Sequence, residues 1–74
     1  MENSSQATIS VTINGEAREM PEGLTVEGLL AHLDLHERLV VVEKNREIVR
    51  REDYGGVDVG EGDAFELVHF VGGG

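Results

Sequence analysis

Residues 7–20 read ATISVTINGEAREM, and this stretch decides the architecture of the chain. Up to Ile13, apolar residues alternate with small polar ones, which is typical of a strand with one buried face. Asn14-Gly15 follows, and both residues tolerate the positive φ angles of a tight hairpin turn. A two-residue loop would place Glu16 and Arg18 on the apolar face of the return strand. We therefore expect a longer turn or a bulge that shifts the register by one residue.

A helix follows the hairpin. Pro21-Glu22-Gly23 ends the second strand, and Thr25 suits the N-cap position because its hydroxyl can accept from a free N–H of the first turn. An apolar stripe at the spacing i, i+3, i+4 and i+7 indicates a helix that ends near residues 34–36. We expect Gly28 to let this helix lie close to the sheet. The stripe consists of Val26, Leu29, Leu30 and Leu33.

The second half of the chain contains three further strands. Residues 39–43 are mostly β-branched, which predicts a strand that is buried on both faces, and residues 47–49 form a short strand after a polar turn. Tyr54 is the predicted anchor of a long loop, and residues 64–71 form the last strand. We expect the first and last strands at the centre of the sheet because they are the most apolar.

This order of elements predicts an α+β fold of the β-grasp type. One main helix covers one face of a mixed sheet of four to five strands. We expect residues 1–7 to be a disordered N-terminal extension and residues 8–71 to be the β-grasp domain. Residues 72–74 then form a flexible Gly-Gly-Gly tail.

Composition narrows the class of function. A domain of 74 residues has little room for an enclosed catalytic cavity, so we expect a carrier or binding module rather than an enzyme. The absence of cysteine excludes disulfides, thiolate zinc sites and a catalytic thiol. The net charge of −9 argues against nucleic acid and anionic membranes, and it suits either a basic protein partner or solubility alone. No stretch reads as a signal peptide or a membrane span, so we expect a cytoplasmic protein that is monomeric when free.

The three glycines at the end of the chain are its most specific feature. Gly72, Gly73 and Gly74 directly follow the last apolar strand. Glycine is costly to order, but it forms a thin backbone that can enter a narrow slot in another protein. We therefore expect the reactive group to be the carboxylate of Gly74, with Gly73 and Gly72 giving access. A simple frayed end is the alternative.

The last strand also offers a docking surface beside the tail. Glu66 marks its solvent face, and Val68 and Phe70 share that face by the alternation of a strand. Together with Val71, they are the candidate docking residues, unless the central strand is covered on both sides at this point. His69 is expected to be packed against the fold rather than to bind the partner.

Histidine spacing gives a second, weaker signal. His32 and His36 lie at i and i+4 on the predicted helix, a spacing that can hold a metal ion. No third ligand is evident in the sequence, and His36 lies at the fraying end of the helix. We therefore expect no metal site and read the pair as solvated side chains.

The tail and the strand before it resemble the C-terminus of the ThiS family, the ubiquitin-like sulfur carriers of thiazole formation in thiamine biosynthesis. The resemblance rests on residues 67–74, LVHFVGGG, and extends to Gly62-Asp63, to residues 47–52, to Asn14-Gly15 and to the helix entry at Leu24-Thr25-Val26. It covers residues 9–74.

The resemblance implies a chemistry and a set of partners. An adenylyltransferase would use ATP and magnesium to convert the carboxylate of Gly74 to an acyl adenylate. A persulfide donor would then leave a thiocarboxylate on Gly74, and thiazole synthase would receive its sulfur. The protein itself would bind no cofactor. Two alternatives keep the same tail: the small subunit of molybdopterin synthase, and a ubiquitin-like protein modifier. A plain interaction domain with an inert tail is a third.

Overall fold

The structure is a computed structural model that describes residues 7–70. The predicted extension up to residue 6, Val71 and the glycine tail lie outside the described residues. The elements are the strands β1 to β5 and the helix α1, with short 3₁₀ turns at Glu37–Leu39 and Arg51–Asp53. In chain order they are β1 (Thr8–Ile13), β2 (Glu16–Pro21), α1 (Val26–His32), β3 (Val40–Lys44), β4 (Glu47–Val49) and β5 (Ala64–His69).

The five strands form one mixed sheet in the order β2-β1-β5-β3-β4. β1 and β5 run parallel, and the other neighbouring pairs are antiparallel. The prediction that the first and last strands lie at the centre is confirmed, and so is the β-grasp arrangement. The core lies on one face of this sheet and includes the buried face of α1. Its largest fully buried side chains are Phe65, Leu29, Leu30, Val11, Val26, Val40 and Val42.

The hairpin turn is tighter than the sequence predicted. Asn14 and Gly15 have φ angles of 52° and 84°, and the register pairs Ile13 directly with Glu16. The expected longer turn or bulge is therefore wrong. The reason is that β2 is an edge strand: Glu16 and Arg18 face the same way as the core but stay in water. Of the residues of β2, only Met20 is fully buried.

The helix begins as predicted and ends earlier. The Thr25 hydroxyl accepts from the N–H of Gly28 at 3.2 Å, which is the expected N-cap contact. The helix stops at His32 because Asp34 adopts a left-handed φ of 62°, and the Leu35 N–H returns to the carbonyl of Leu30 at 2.9 Å. This is the Schellman pattern of helix ends, formed here with aspartate in the position that glycine usually takes.

Gly28 serves a different contact from the one predicted. A Cβ atom at this position would lie 3.2 Å from the Leu24 side chain and 3.7 Å from the Thr25 hydroxyl. The glycine therefore makes room for the loop that enters the helix. The expectation that it brings the helix close to the sheet is wrong.

β3 is buried on one face only. Val40 and Val42 are fully buried, whereas Val41 is half-buried on the opposite face. The prediction of two buried faces fails because α1 covers one side of the sheet. Leu39, which was placed in this strand, ends the 3₁₀ turn before it and is exposed.

Tyr54 anchors the long loop as predicted. It is 3% exposed, and its hydroxyl donates to the carbonyl of Val40 at 2.8 Å. Burial raises the pKa of the Tyr54 phenol, so the group stays a proton donor at neutral pH. Val59 is also buried, and its N–H bonds the carbonyl of Leu24 at 2.9 Å. The loop is thus fixed to both the sheet and the start of the helix.

Among residues 7–70, no helix is long and apolar enough to cross a lipid bilayer.

Candidate functional site

The solvent face of β5 exposes two apolar side chains directly before the tail. Val68 is 54% exposed and Phe70 is 53% exposed, and both lie on the face opposite the helix. In the neighbouring strand, Val41 pairs with Val68 and is half-buried. Leu39 is also exposed, and its carbonyl accepts the N–H of Phe70 at 2.7 Å. We call these four residues the apolar end patch: Leu39, Val41, Val68 and Phe70.

The opposite face of β5 changes character along the strand. Phe65 and Leu67 are part of the core, but the next residue on that face, His69, is exposed. The expectation of a packed His69 is therefore wrong. The helix ends before it can cover this position, so His69 faces an open groove beside the end of α1.

The start of β5 is fixed by polar contacts from the turn between β3 and β4. The side chain of Asn45 accepts from the Ala64 N–H at 2.9 Å and donates to the Asp63 carboxylate at 3.1 Å. The Lys44 ammonium lies 3.6 Å from the same carboxylate. The Gly60 N–H donates to it at 2.7 Å. These contacts hold the strand at the end that is remote from the tail.

The pKa of Asp63 reflects these contacts. Partial burial acts to raise the pKa, because a charged carboxylate is less well hydrated there. The hydrogen bonds from Gly60 and Asn45, together with the charge of Lys44, outweigh burial and hold the pKa below its ordinary value. Asp63 is therefore a structural carboxylate that is ionised at neutral pH.

Asn14 joins the hairpin turn to the middle of β5. Its side-chain amide donates to the Leu67 carbonyl at 3.2 Å and accepts from the Leu67 N–H at 2.8 Å. The side chain thus continues the ladder between β1 and β5 for one more residue beyond the end of β1. Asn14-Gly15 was recognised from the sequence only as a turn, because this contact spans 53 residues along the chain.

The predicted docking residues share a face, as the alternation of the strand indicated. Val68 and Phe70 are both exposed beside the tail, while Val71 and the glycines lie outside the described residues. Leu39 and Val41 were missed as members of the same patch. The β-branched run suggested burial of Val41, and only the pairing of β3 with β5 brings it beside Val68.

The structure separates the two histidines that have metal-binding spacing. His32 ends α1, whereas His36 lies beyond the helix and its Nδ1 accepts from the Arg38 N–H at 3.3 Å. Within residues 7–70, no three His, Cys, Asp or Glu side chains come together as a possible metal site.

Comparison with known proteins agrees with this fold and with the glycine end. The model of the ThiS family matches residues 11–74. The sulfur carrier protein ThiS of Bacillus subtilis is 46% identical over 50 residues, which are 68% of this chain and 76% of that protein. The chain belongs to the ThiS family. It is a sulfur carrier of thiamine biosynthesis and not a catalyst.

Two further relatives extend the comparison. A crystal structure of the thiamine biosynthesis protein ThiS from Geobacter metallireducens superposes with a TM-score of 0.75 at 35% identity. The match covers 89% of this chain and all of that one, and it supports the β-grasp, ubiquitin-like fold. The thiazole synthase of Paramagnetospirillum magneticum is 46% identical over 66 residues. That match covers 89% of this ThiS-family chain, but this chain spans only 20% of the synthase.

Proposed function

We propose that the carboxylate of Gly74 carries the sulfur of this ThiS-family protein. A partner adenylyltransferase, using ATP and magnesium, forms an acyl adenylate on Gly74 and releases pyrophosphate. The terminal sulfur of a persulfide donor then attacks the acyl carbon, and AMP leaves. Cleavage of the resulting acyl disulfide by a thiol gives the thiocarboxylate. Thiazole synthase takes its sulfur for ring formation in the cytoplasm.

The chemistry of an α-carboxylate supports the need for an activating partner. Its pKa of about 3.3–3.7 means that it is fully ionised at neutral pH, and an ionised carboxylate is a poor acyl acceptor. Activation requires groups that stabilise developing charge in a site closed to water. Neither histidine of the helix region forms such a site with carboxylates among residues 7–70. The partner therefore supplies the catalytic groups, and this chain supplies access.

The observation that carries the proposal is the exposed apolar end patch next to the glycines. Val68 and Phe70 stay half in water although they lie on the central strand of the sheet. Three extended residues span roughly 10 Å. A partner that covers the patch can therefore receive Gly74 in a slot while the folded domain stays outside. Gly73 and Gly72 keep that path free of side chains.

Sulfur loading tests this proposal by mass. The chain is incubated with the adenylyltransferase, ATP, magnesium and a persulfide donor, and its intact mass is measured. We expect a mass gain that corresponds to exchange of one oxygen for sulfur at the C-terminal peptide. Deletion of Gly73 and Gly74 should abolish this gain and leave the thermal midpoint unchanged. An unchanged mass of the full chain under conditions that load a known carrier would contradict the proposal.

The partner that consumes the sulfur is tested separately. The loaded chain should bind purified thiazole synthase and support thiazole formation. The matched control is the large subunit of molybdopterin synthase, which should not be captured. Capture of that subunit alone would assign the same tail chemistry to the other pathway.

A further inference from the structure

The edges of the sheet differ in how well they are protected. An exposed edge strand offers free backbone N–H and C=O groups, and proteins usually protect it with charges, proline or short length. β2 carries Glu16, Arg18 and Glu19 and ends in Pro21. β4 has only three residues. Both outer edges of the sheet therefore have the features that discourage pairing with another chain.

A third edge lies inside the sheet, where β5 extends past the hairpin. The ladder between β1 and β5 ends at the pair Ile13 and Phe65, and the Asn14 side chain then bonds both backbone groups of Leu67. Alternate residues of a strand direct their backbone groups to the same side. The N–H and C=O of His69 therefore point toward the side that β1 has left. Among residues 7–70 no hydrogen-bond partner is present for either group.

A groove lies below this edge, on the face of the sheet that α1 has stopped covering. It has a volume of about 670 Å³ and is bounded by the hairpin, β5 and the end of α1. Its apolar wall includes Leu33, Leu35 and Leu67. An extended chain paired with His69 would therefore direct alternate side chains into an apolar depression.

The charge of this groove is opposite to that of the rest of the chain. Acidic residues outnumber Lys and Arg by 15 to 6 in the whole sequence. The groove, however, is lined by Arg18, His32 and His69 and by a single carboxylate, Glu19. Such a site attracts an acidic segment and disfavours a second copy of this acidic chain.

We propose that an extended segment of a partner protein adds to β5 at His69 as an extra strand, with an apolar side chain and a carboxylate in the groove. This proposal rests on the proposed function, because the partner is the one that handles the tail. An added strand beside His69 would run along the first residues that follow β5. It would hold the chain extended on its way into the partner, while the apolar end patch is covered from the opposite face.

Amide hydrogen exchange tests the added strand directly. The backbone N–H of His69 should exchange rapidly in the free chain, because only groups without a hydrogen bond exchange without an opening step. In complex with the adenylyltransferase or with thiazole synthase, its exchange should slow by about tenfold or more. The Phe70 N–H is the internal control, since it already bonds the Leu39 carbonyl and should be protected in both states.

The outcomes of this measurement are distinct. Protection of His69 in either complex supports the proposal. A stable complex in which His69 still exchanges rapidly overturns it and leaves the proposed function intact. Concentration-dependent protection in the free chain would mean that the edge pairs with a second copy, which also overturns it. If neither enzyme forms a complex, the proposed function fails and this proposal fails with it.

A matched pair of charge variants tests the groove. Arg18→Glu should weaken partner binding by about tenfold, because it reverses the charge that meets the acidic segment. Arg46→Glu makes the same change of charge on the turn between β3 and β4, away from the groove, and should leave affinity nearly unchanged. Circular dichroism confirms that both variants fold. Equal losses of affinity in the two variants would show only general repulsion and would contradict an acidic segment in the groove.

Discussion

The two ends of β5 are built in opposite ways. At the start of the strand, Asp63 and Ala64 are held by Asn45 and Lys44 from one side, and Thr12 bonds the Asp63 carbonyl from the other. At the end of the strand, Val68 and Phe70 expose more than half of their surface. One strand thus passes from the best-fixed region of the sheet to its most accessible one.

This difference separates stability from recognition along a single strand. A domain of this size buries only about 60% of the surface of its unfolded chain, so it has little stability to lose. Contacts that fold the domain are concentrated at the start of β5. The end of the strand can then keep apolar side chains in water for a partner. Substitutions at the two ends should therefore affect different measurements.

Phe65→Ala should give the largest effect on folding. Phe65 is 1% exposed, and truncation of a buried phenylalanine costs about 3–5 kcal/mol. That loss is a large part of the stability of a small domain. Urea denaturation followed by circular dichroism measures it. Glu66→Ala, an exposed neighbour, is the control and should change stability by less than about 0.5 kcal/mol. A small loss at Phe65 would mean that the core lies elsewhere.

Phe70→Ala should reverse this pattern. The side chain is half exposed, so the free energy of unfolding should hardly change. If the apolar end patch docks on the adenylyltransferase, affinity should fall by about 30-fold, or about 2 kcal/mol, as for a central aromatic contact. Ile48→Ala is the matched control, because Ile48 is 68% exposed on the same sheet face but lies on the far strand β4. Calorimetry with the purified partner measures both.

The outcome that breaks the comparison is equally clear. If Phe70→Ala and Ile48→Ala lower affinity by the same amount, the patch has no special part in docking. If Phe70→Ala instead lowers the midpoint of urea denaturation, the end of β5 contributes to folding after all.

Asp63→Asn tests the fixed end of the strand through pH. The folded pKa of Asp63 lies below its ordinary 3.8, so the ionised form stabilises the fold above that pH. This contribution is lost as pH falls through the folded pKa. We expect the variant to be less stable by about 1–2 kcal/mol at neutral pH, because hydrogen bonds to a charged acceptor are lost. The difference between the two proteins should shrink in acid.

The control for this prediction is Asp58→Asn. Asp58 is exposed, and the substitution removes the same charge without touching the contacts of Asn45. It should leave the acid side of the stability curve unchanged. A difference between wild type and Asp63→Asn that stays constant down to pH 3 would show that the charge of Asp63 does not matter.

Much of the fold could be predicted because local patterns and long-range packing agree. The alternation in β1, the Thr25 cap and the buried Tyr54 all follow from side-chain chemistry that acts within a few residues. The register of the hairpin was mispredicted because Glu16 and Arg18 were assumed to need an outward face. At a sheet edge both faces reach water, and the position of β2 at the edge depends on strand order, which no local pattern gives.

The same limit applies to the candidate site. Val68 and Phe70 follow from the alternation of a single strand, so the sequence predicts them. Leu39 and Val41 join the patch only through the pairing of β3 with β5. The open edge at His69 depends on where the hairpin stops relative to β5, which is set by a contact between Asn14 and Leu67. Such contacts between distant residues cannot be read from the spacing of residue types.

The smallest predicted effect concerns the turn that holds the fixed end of β5. Asn45 and Arg46 have φ angles of 51° and 74°, and the left-handed region costs an ordinary L residue about 1–2 kcal/mol. Arg46→Gly removes this strain but makes the unfolded chain more flexible, so we expect a net gain of about 0.5–1 kcal/mol. Arg46→Ala is the matched control, because it removes the same charge yet keeps a Cβ atom, and it should give no gain. Thermal unfolding of both variants measures the difference, and equal midpoints would attribute any change to charge. Because the turn lies at the end of β5 remote from the tail, neither variant should alter the affinity for a partner that binds at Phe70.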